Sequence, residues 1–232
     1  MLHTEVATGT SLRIARPASI APSPAADPFD VVASCPGVVA SEFTFGKDEE
    51  IYGEDEPAEY VYQVLSGAVR TYKLLSDGRR QIGAFHLAGD VFGLDSTTAH
   101  RLTAEAIAAT TVRLVRRRSL EAAAASNATV AHSLWKMTAH SLRHAEDHML
   151  LLGRKTALER VATFLLEMDA RLVRTGMMAL PMGRRDIGDY LGLTLETVSR
   201  TFSDLSEKGI VALTGARQVV LRNRSRLASL DA

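Results

Sequence analysis

The tightest constraint on this chain is a single glycine bend. Around it the sequence reads Arg184-Arg185-Asp186-Ile187-Gly188-Asp189-Tyr190-Leu191-Gly192-Leu193-Thr194-Leu195-Glu196-Thr197-Val198-Ser199-Arg200. Ile187 and Leu191 stand four apart, on one face of a helix. Gly192 supplies the left-handed residue that ends this helix and turns the chain. Thr194 then caps a second helix. Gly188 is small where the two helices must cross closely, and Leu193 and Val198 face inward. Several independent constraints are met at the spacing of a helix-turn-helix.

The outward positions in the first turns of the second helix are Leu195, Glu196, Ser199 and Arg200. Arg200 suits a bidentate pair with guanine O6 and N7, Glu196 can accept from cytosine N4, and Leu195 can touch a thymine methyl. Glu196 and Arg200 are also one turn apart, so a surface ion pair is the plainer account. The two accounts are compatible, since such a pair would preorganise the arginine. Lys208-Gly209 ends the helix. Ile210–Leu213, a turn at Thr214-Gly215-Ala216, and Gln218–Leu221 then read as a small hairpin, a wing. Arg184, Arg185, Thr197 and Lys208 lie where phosphate contacts are expected. Double-stranded DNA is therefore the expected partner.

Charge agrees only after it is resolved along the chain. The 27 basic and 27 acidic residues cancel. Between Glu42 and Glu59 acids dominate, whereas from Arg184 to Arg226 basic residues outnumber acids eight to five. A basic excess confined to one domain steers that end toward a phosphate backbone. The one cysteine, Cys35, permits no intramolecular disulfide and fits a reducing, cytoplasmic setting. It also excludes iron–sulfur or zinc sites built from several thiolates. No apolar run approaches the roughly 20 residues of a membrane span, and Met1 to Ala25 lacks the apolar block of a signal peptide.

Four segments are expected in this α+β chain. Residues 1–34, rich in Ala, Pro, Ser and Thr, read as a mobile extension. Residues 35–127 read as a β-barrel or jelly roll of short strands. Tyr60–Leu65 and Ala68–Leu74 flank Ser66-Gly67 as one hairpin, Asp77-Gly78 turns a second, and Thr110–Val115 alternates as a final strand. Residues 128–152 carry no proline or glycine and read as a long helix, interrupted by Gly153. One of its stripes is Trp135, Leu142, Ala145, Met149 and Leu152; Val130, Leu134 and Met137 lie beside its first half. A helix this long outreaches one small barrel, so part of its broad apolar face, with Leu134, Trp135, Met137, Leu142, Ala145, Met149 and Leu152 as the contact residues, is expected to meet a second copy in a homodimer. Packing on its own domain is the alternative. Residues 153–232 form the winged helix-turn-helix domain, opening with a second amphipathic run that Gly176 and Pro181 close.

From Phe43 onward the chain resembles the CRP/FNR family of bacterial transcription regulators. The resemblance rests on the Gly-Asp-Val-Phe-Gly turn at 89–93, the long helix, and Glu-Thr-Val-Ser-Arg at 196–200. Glu-x-x-Ser-Arg is similar to the FNR and FixK branch and implies a two-fold site of TTG-type half-sites. It implies base contacts by Leu195, Glu196, Ser199 and Arg200, and backbone contacts by Arg185, Thr194 and Thr197. Gly183 stands where relatives often carry a Ser or Thr cap, and Thr201 where an apolar residue is usual. In such a regulator the acidic stretch Asp48–Glu59 can touch RNA polymerase; otherwise it is a solvated face.

The resemblance also marks what is missing. The family's cyclic-nucleotide pocket uses a Gly-Glu pair and an Arg-Ser pair; the corresponding stretches here are Leu94-Asp95-Ser96 and Arg101-Leu102-Thr103. Arg101 could pair a phosphate, but the glutamate and serine are absent, so no cofactor is expected. His140, His144 and His148 share one helical face at metal-ligand spacing, yet nothing obviously completes a closed site, and a polar stripe is preferred. Cys35 reads as a small hydrophobe rather than a redox centre. A cupin-type metalloenzyme would share the barrel, but it offers only His86 and His100, at unsuitable spacing. A regulator gated by an unidentified effector remains the other alternative.

Overall fold

The computed structural model describes residues 27–95, 97–172 and 177–230. The chain begins with α1 (Pro28–Ala33) and enters eight strands: β1 (Ala40–Phe45), β2 (Glu50–Tyr52), β3 (Tyr60–Ser66), β4 (Ala68–Leu74), β5 (Arg80–Leu87), β6 (Val91–Phe92), β7 (Thr103–Ala106) and β8 (Thr110–Arg116). Helices α2 (Arg117–Ser126), α3 (Ala128–Arg154) and α4 (Ala157–Leu172) follow. The last part holds β9 (Met177–Ala179), α5 (Arg184–Leu191), α6 (Leu195–Glu207), β10 (Val211–Leu213), β11 (Gln218–Leu221) and α7 (Arg224–Ala228).

The strands form two four-stranded antiparallel sheets, ordered β1-β8-β3-β6 and β2-β7-β4-β5. Their inner faces bury Tyr52, Tyr62, Val64, Val69, Phe92, Ala104 and Val112. This topology corrects one expected hairpin. β3 and β4 do not pair; Ser66-Gly67 carries the chain from one sheet to the other. Gly67 has φ +86°, and a Cβ there would lie 2.4 Å from Thr110 Oγ1 and 2.5 Å from the Ala109 carbonyl. The glycine serves a close corner, which a Ser-Gly pair signals as readily as a turn. The second hairpin forms as expected: β4 pairs with β5 from Ala68↔Leu87 to Leu74↔Arg80, around Asp77-Gly78.

The extension also needs correction. Residues 1–26 lie outside the described residues, but the following ones are ordered by their own chemistry. Asp27 caps α1 by accepting from the Phe29 N–H at 2.9 Å, and Pro28 sits in the first turn, where its missing N–H costs nothing. Phe29 and Val32 are fully buried, in one cluster with Leu120, Val130 and Met137; Cys35 packs at its edge. The lone cysteine is thus a small hydrophobe here.

Helix α3 is capped by the Asn127 side chain, which accepts from Thr129 and Val130 N–H. It runs through Gly153 to Arg154, two residues past the expected end. Its 27 residues span about 40 Å. The two apolar stripes part company. Val130 and Met137 are buried against α1 and α2, and Leu134 packs beside them, while Leu152 packs against α4 and the last domain. Met137 therefore belongs to its own chain's core, a correction to its expected place in a dimer contact. Trp135, Leu142 and Met149 are 70%, 59% and 66% exposed, and Ala145 is exposed between them.

A further cluster joins the parts. Ala68, Ile82, Phe85, Leu87 and Ile107 on the outer barrel face pack with Phe164, Leu165 and Met168 of α4 and with Ile187, Tyr190, Val198 and Phe202. The wing is a three-stranded sheet, β10-β11-β9, one strand more than the expected hairpin. Gly176, expected to close α4, lies outside the described residues. Among the described residues no helix is long and apolar enough to cross a membrane.

Candidate nucleic-acid interface

The glycine bend takes the conformation its sequence demands. Gly192 has φ 63° and ψ 38°, and Leu193 N–H donates to the Gly188 carbonyl at 3.0 Å. A Cβ on Gly188 would stand 2.7 Å from the Leu193 carbonyl oxygen, so only glycine allows the chain to return so closely. Thr194 Oγ1 accepts from Thr197 N–H at 3.2 Å and caps α6. Gly183 offers no side-chain cap to α5; Asp186 Oδ2 reaches back instead and accepts from the Gly183 N–H at 3.2 Å. Thr201, at an inner position, satisfies its hydroxyl by donating to the Thr197 carbonyl at 2.8 Å.

Val198, Phe202 and Leu205 fix which side of α6 faces in, being at most 1% exposed. Leu195, Glu196, Ser199 and Arg200 then fall together on the outer side, all exposed. Glu196 is not paired with Arg200 through a direct bond. The neighbouring backbone N–H and the Thr194 hydroxyl hold its pKa below the ordinary range, with Arg200 and Arg185 adding a weaker pull. Arg200 instead reaches Thr197 Oγ1 at 3.5 Å. The expected ion pair does not form, and both residues are exposed.

The expected phosphate-contacting residues separate. Arg185 is exposed at the start of α5, and Thr194 and Thr197 lie at the start of α6. Lys208 is exposed at the C-cap, a full helix length from Thr194. Arg184 is turned inward, its guanidinium over the Phe202 ring. Arg217, which the sequence reading passed over, is exposed in the wing; it donates to the Pro181 carbonyl at 2.7 Å and stands beside Gly183. Only tertiary structure brings it to the start of α5, so no local signal marked it.

Residues 159–230 match the Crp-like helix-turn-helix domain, and residues 42–127 match the cyclic nucleotide-binding domain. Over 217 residues the chain is 44% identical to the nitrogen fixation regulation protein FixK of Azorhizobium caulinodans, covering 91% of this chain and 86% of that relative. This chain belongs to the CRP/FNR family of transcription regulators. The FixK of Rhizobium meliloti is 40% identical, over 81% of this chain and 85% of its own. The solved structure of FixK2 from Bradyrhizobium japonicum is similar at 75% identity and a TM-score of 0.82, covering 84% of this chain and 98% of that one. Within the CRP/FNR family the chain is therefore FixK-like. It is a DNA-binding transcription regulator of a family of non-enzymes, which sets the cupin-type reading aside.

The CRP/FNR nucleotide pocket is a poor fit to the residues present. Tyr62 stacks on Phe92 with ring centres 5.1 Å apart, Tyr52 stacks on His100 at 3.5 Å, and His86 stacks on Phe92 at 5.1 Å, filling the space between the sheets. Asp95 is engaged with His100 Nδ1 at 2.8 Å. Arg101, the candidate phosphate partner, is exposed, and Ser96 lies outside the described residues. Among the described residues no group of three or more His, Cys, Asp or Glu could hold a metal ion. The histidine stripe divides instead. His140 is exposed, His144 stands 4.0 Å from Glu167, and His148 is buried with its Nε2 donating to the Tyr190 carbonyl at 2.8 Å.

Proposed function

We propose that this regulator binds a two-fold DNA site with TTG-type half-sites as a homodimer, acts chiefly as an activator in the cytoplasm, and reads bases with α6. The observation that carries this reading is the shared outer face of Leu195, Glu196, Ser199 and Arg200, whose chemistry matches major-groove base edges. Arg185, Thr194 and Thr197 around it, with Lys208 at the far end, suit backbone contacts that fix register without carrying sequence. The exposed stripe of Trp135, Leu142, Ala145 and Met149 supports pairing of α3 with a second copy. The names of relatives support activation: they include a transcriptional activatory protein of Rhodopseudomonas palustris, 39% identical. RNA polymerase is the proposed further partner, through the acidic barrel stretch Asp48–Glu59.

Selection of bound duplexes from a random pool tests site, symmetry and spacing together. The expected result is a two-fold motif whose half-site centres lie about one helical turn apart, roughly 34 Å. Enrichment of an asymmetric sequence, or of none, rejects the reading.

A further inference from the structure

The helix that precedes the reading helix is clamped from both ends by parts of the chain far away in sequence. At its start, Asp186 Oδ1 accepts from Arg70 at 3.1 Å and from Arg80 at 2.6 Å, and Asp189 Oδ2 accepts from Arg80 Nε at 2.9 Å. Arg70 lies on β4 and Arg80 opens β5, so both cations belong to the barrel. Glu105 and Asp48 hold Arg70 from its other side. The arrangement is sheltered: the Arg70 and Asp186 side chains are 9% and 12% exposed. At its end, α5 leaves carbonyls with no partner inside the helix. The Tyr190 carbonyl accepts from His148 of α3 and, at 3.3 Å, from Gln81 of β5; the Leu191 carbonyl accepts from Arg160 of α4 at 2.8 Å.

The reading residues remain open under this clamp. The turn between β4 and β5 borders a cleft of about 680 Å³ whose far wall includes Thr194, Leu195 and Glu196. Leu195 is 39% exposed. The barrel therefore stands beside the reading face without covering it.

We propose that Arg70 and Arg80 are positioning residues for DNA reading, holding Asp186 and Asp189 so that α6 is presented outward. The inference deepens the proposed function and rests on α6 being the reading helix. Sequence specificity needs several side chains in register at once, and a domain free to swing on the barrel loses affinity in proportion to the time spent elsewhere. Neutralising Asp189 leaves Arg80 only Asp186, which it shares with Arg70, so the clamp loosens when either side is neutralised.

The sign of the effect separates this role from plain electrostatics. Asp189→Asn removes a negative charge from a surface near DNA, so charge repulsion alone would tighten binding. Positioning requires the opposite, a loss of at least fivefold in affinity for the selected site. Arg80→Gln is expected to give a similar loss, with partial recovery in Arg80→Lys. A second reading needs no DNA: in a Cys35→Ser background, with doubly labelled chains diluted in excess unlabelled protein, spin labels at Ser76→Cys on the barrel turn and Ser203→Cys on α6 report the domain orientation within one protomer. One narrow distance distribution is expected with native Asp189 and a broad one with Asp189→Asn. Tighter or unchanged binding by Asp189→Asn, or an unchanged distribution, overturns the proposal. If the unmodified protein selects no sequence at all, the failure lies in the proposed function, and the distance measurement still decides the clamp.

Discussion

The guanidinium carbon of Arg184 sits 3.3 Å from the centre of the Phe202 ring, closing the inner side of the helix-turn-helix. Loss of water around it lowers its pKa to about 10, which leaves it charged at neutral pH. The cation is thus engaged with an aromatic face and its stem covers apolar surface. Its neighbour Arg185 is exposed and free of this constraint. The pair should separate cleanly. Arg184→Ala is expected to lower stability by roughly 1–2 kcal/mol in denaturant unfolding, with the salt dependence of DNA binding unchanged. Arg185→Ala is expected to keep stability and to reduce the salt slope by about one. The reverse pattern would move the phosphate contact back to Arg184.

Arg200 and Glu196 carry charge on one outer face without a direct bond between them. Each can therefore meet a base on its own. Arg200→Ala is expected to weaken specific binding by roughly 1–3 kcal/mol and to relax preference at one guanine. Glu196→Ala should relax preference at a different base pair. Motifs selected by the two variants decide the matter; a uniform loss over all sequences, with the motif intact, would contradict base reading.

The two faces of α3 predict opposite consequences. Replacing Leu142 and Met149 by Glu should convert the proposed homodimer to monomer in sedimentation and weaken operator binding with it, leaving the protomer folded. Met137→Ala opens a cavity against α1 and α2 and should cost roughly 2–5 kcal/mol of stability. Its sedimentation should be unaltered once folded. A monomeric Met137→Ala, or a dimeric double mutant, would reassign the interface.

What the sequence disclosed follows the reach of each interaction. The helix-turn-helix was legible because Gly192, Thr194 and the spacing of Ile187 and Leu191 act within one or two turns of each other. The Asp77-Gly78 hairpin is equally local. Gly67 misled because a positive φ serves an in-plane turn and a corner between sheets alike, and its partner Thr110 is distant. Helix α1 has six residues and gains most of its stability from docking on α3, so composition alone pointed elsewhere. Periodicity on α3 gave two stripes but not which one its own domain covers. The Arg70 and Arg80 clamp joins residues more than 100 positions apart, and no pattern in the text of either segment announces the other.

His86 makes the last prediction one about acid. Its ring lies between Phe92, 5.1 Å away, and the Thr71 hydroxyl, 3.2 Å from Nε2. Burial, followed by the nearby His144 and Arg171, pushes its pKa down to about 3. In the unfolded chain the same group takes a proton near pH 6.5. Folding therefore excludes a proton between those values, and stability, fully present above about 6.5, falls as the pH drops toward 3 by at most about 1.4 kcal/mol per unit. Burial also lowers the pKa of His148, which adds a contribution of the same sign. His86→Gln should remove one proton's share of this slope, and carboxylates that titrate below pH 5 cancel in the difference from the unmodified protein. Urea unfolding at stepped pH is the measurement: the two stability curves should converge as the medium turns acid, because the native state no longer has to hold an imidazole neutral against solvent that would charge it. Curves that stay parallel from pH 7 to 4 would place the proton elsewhere.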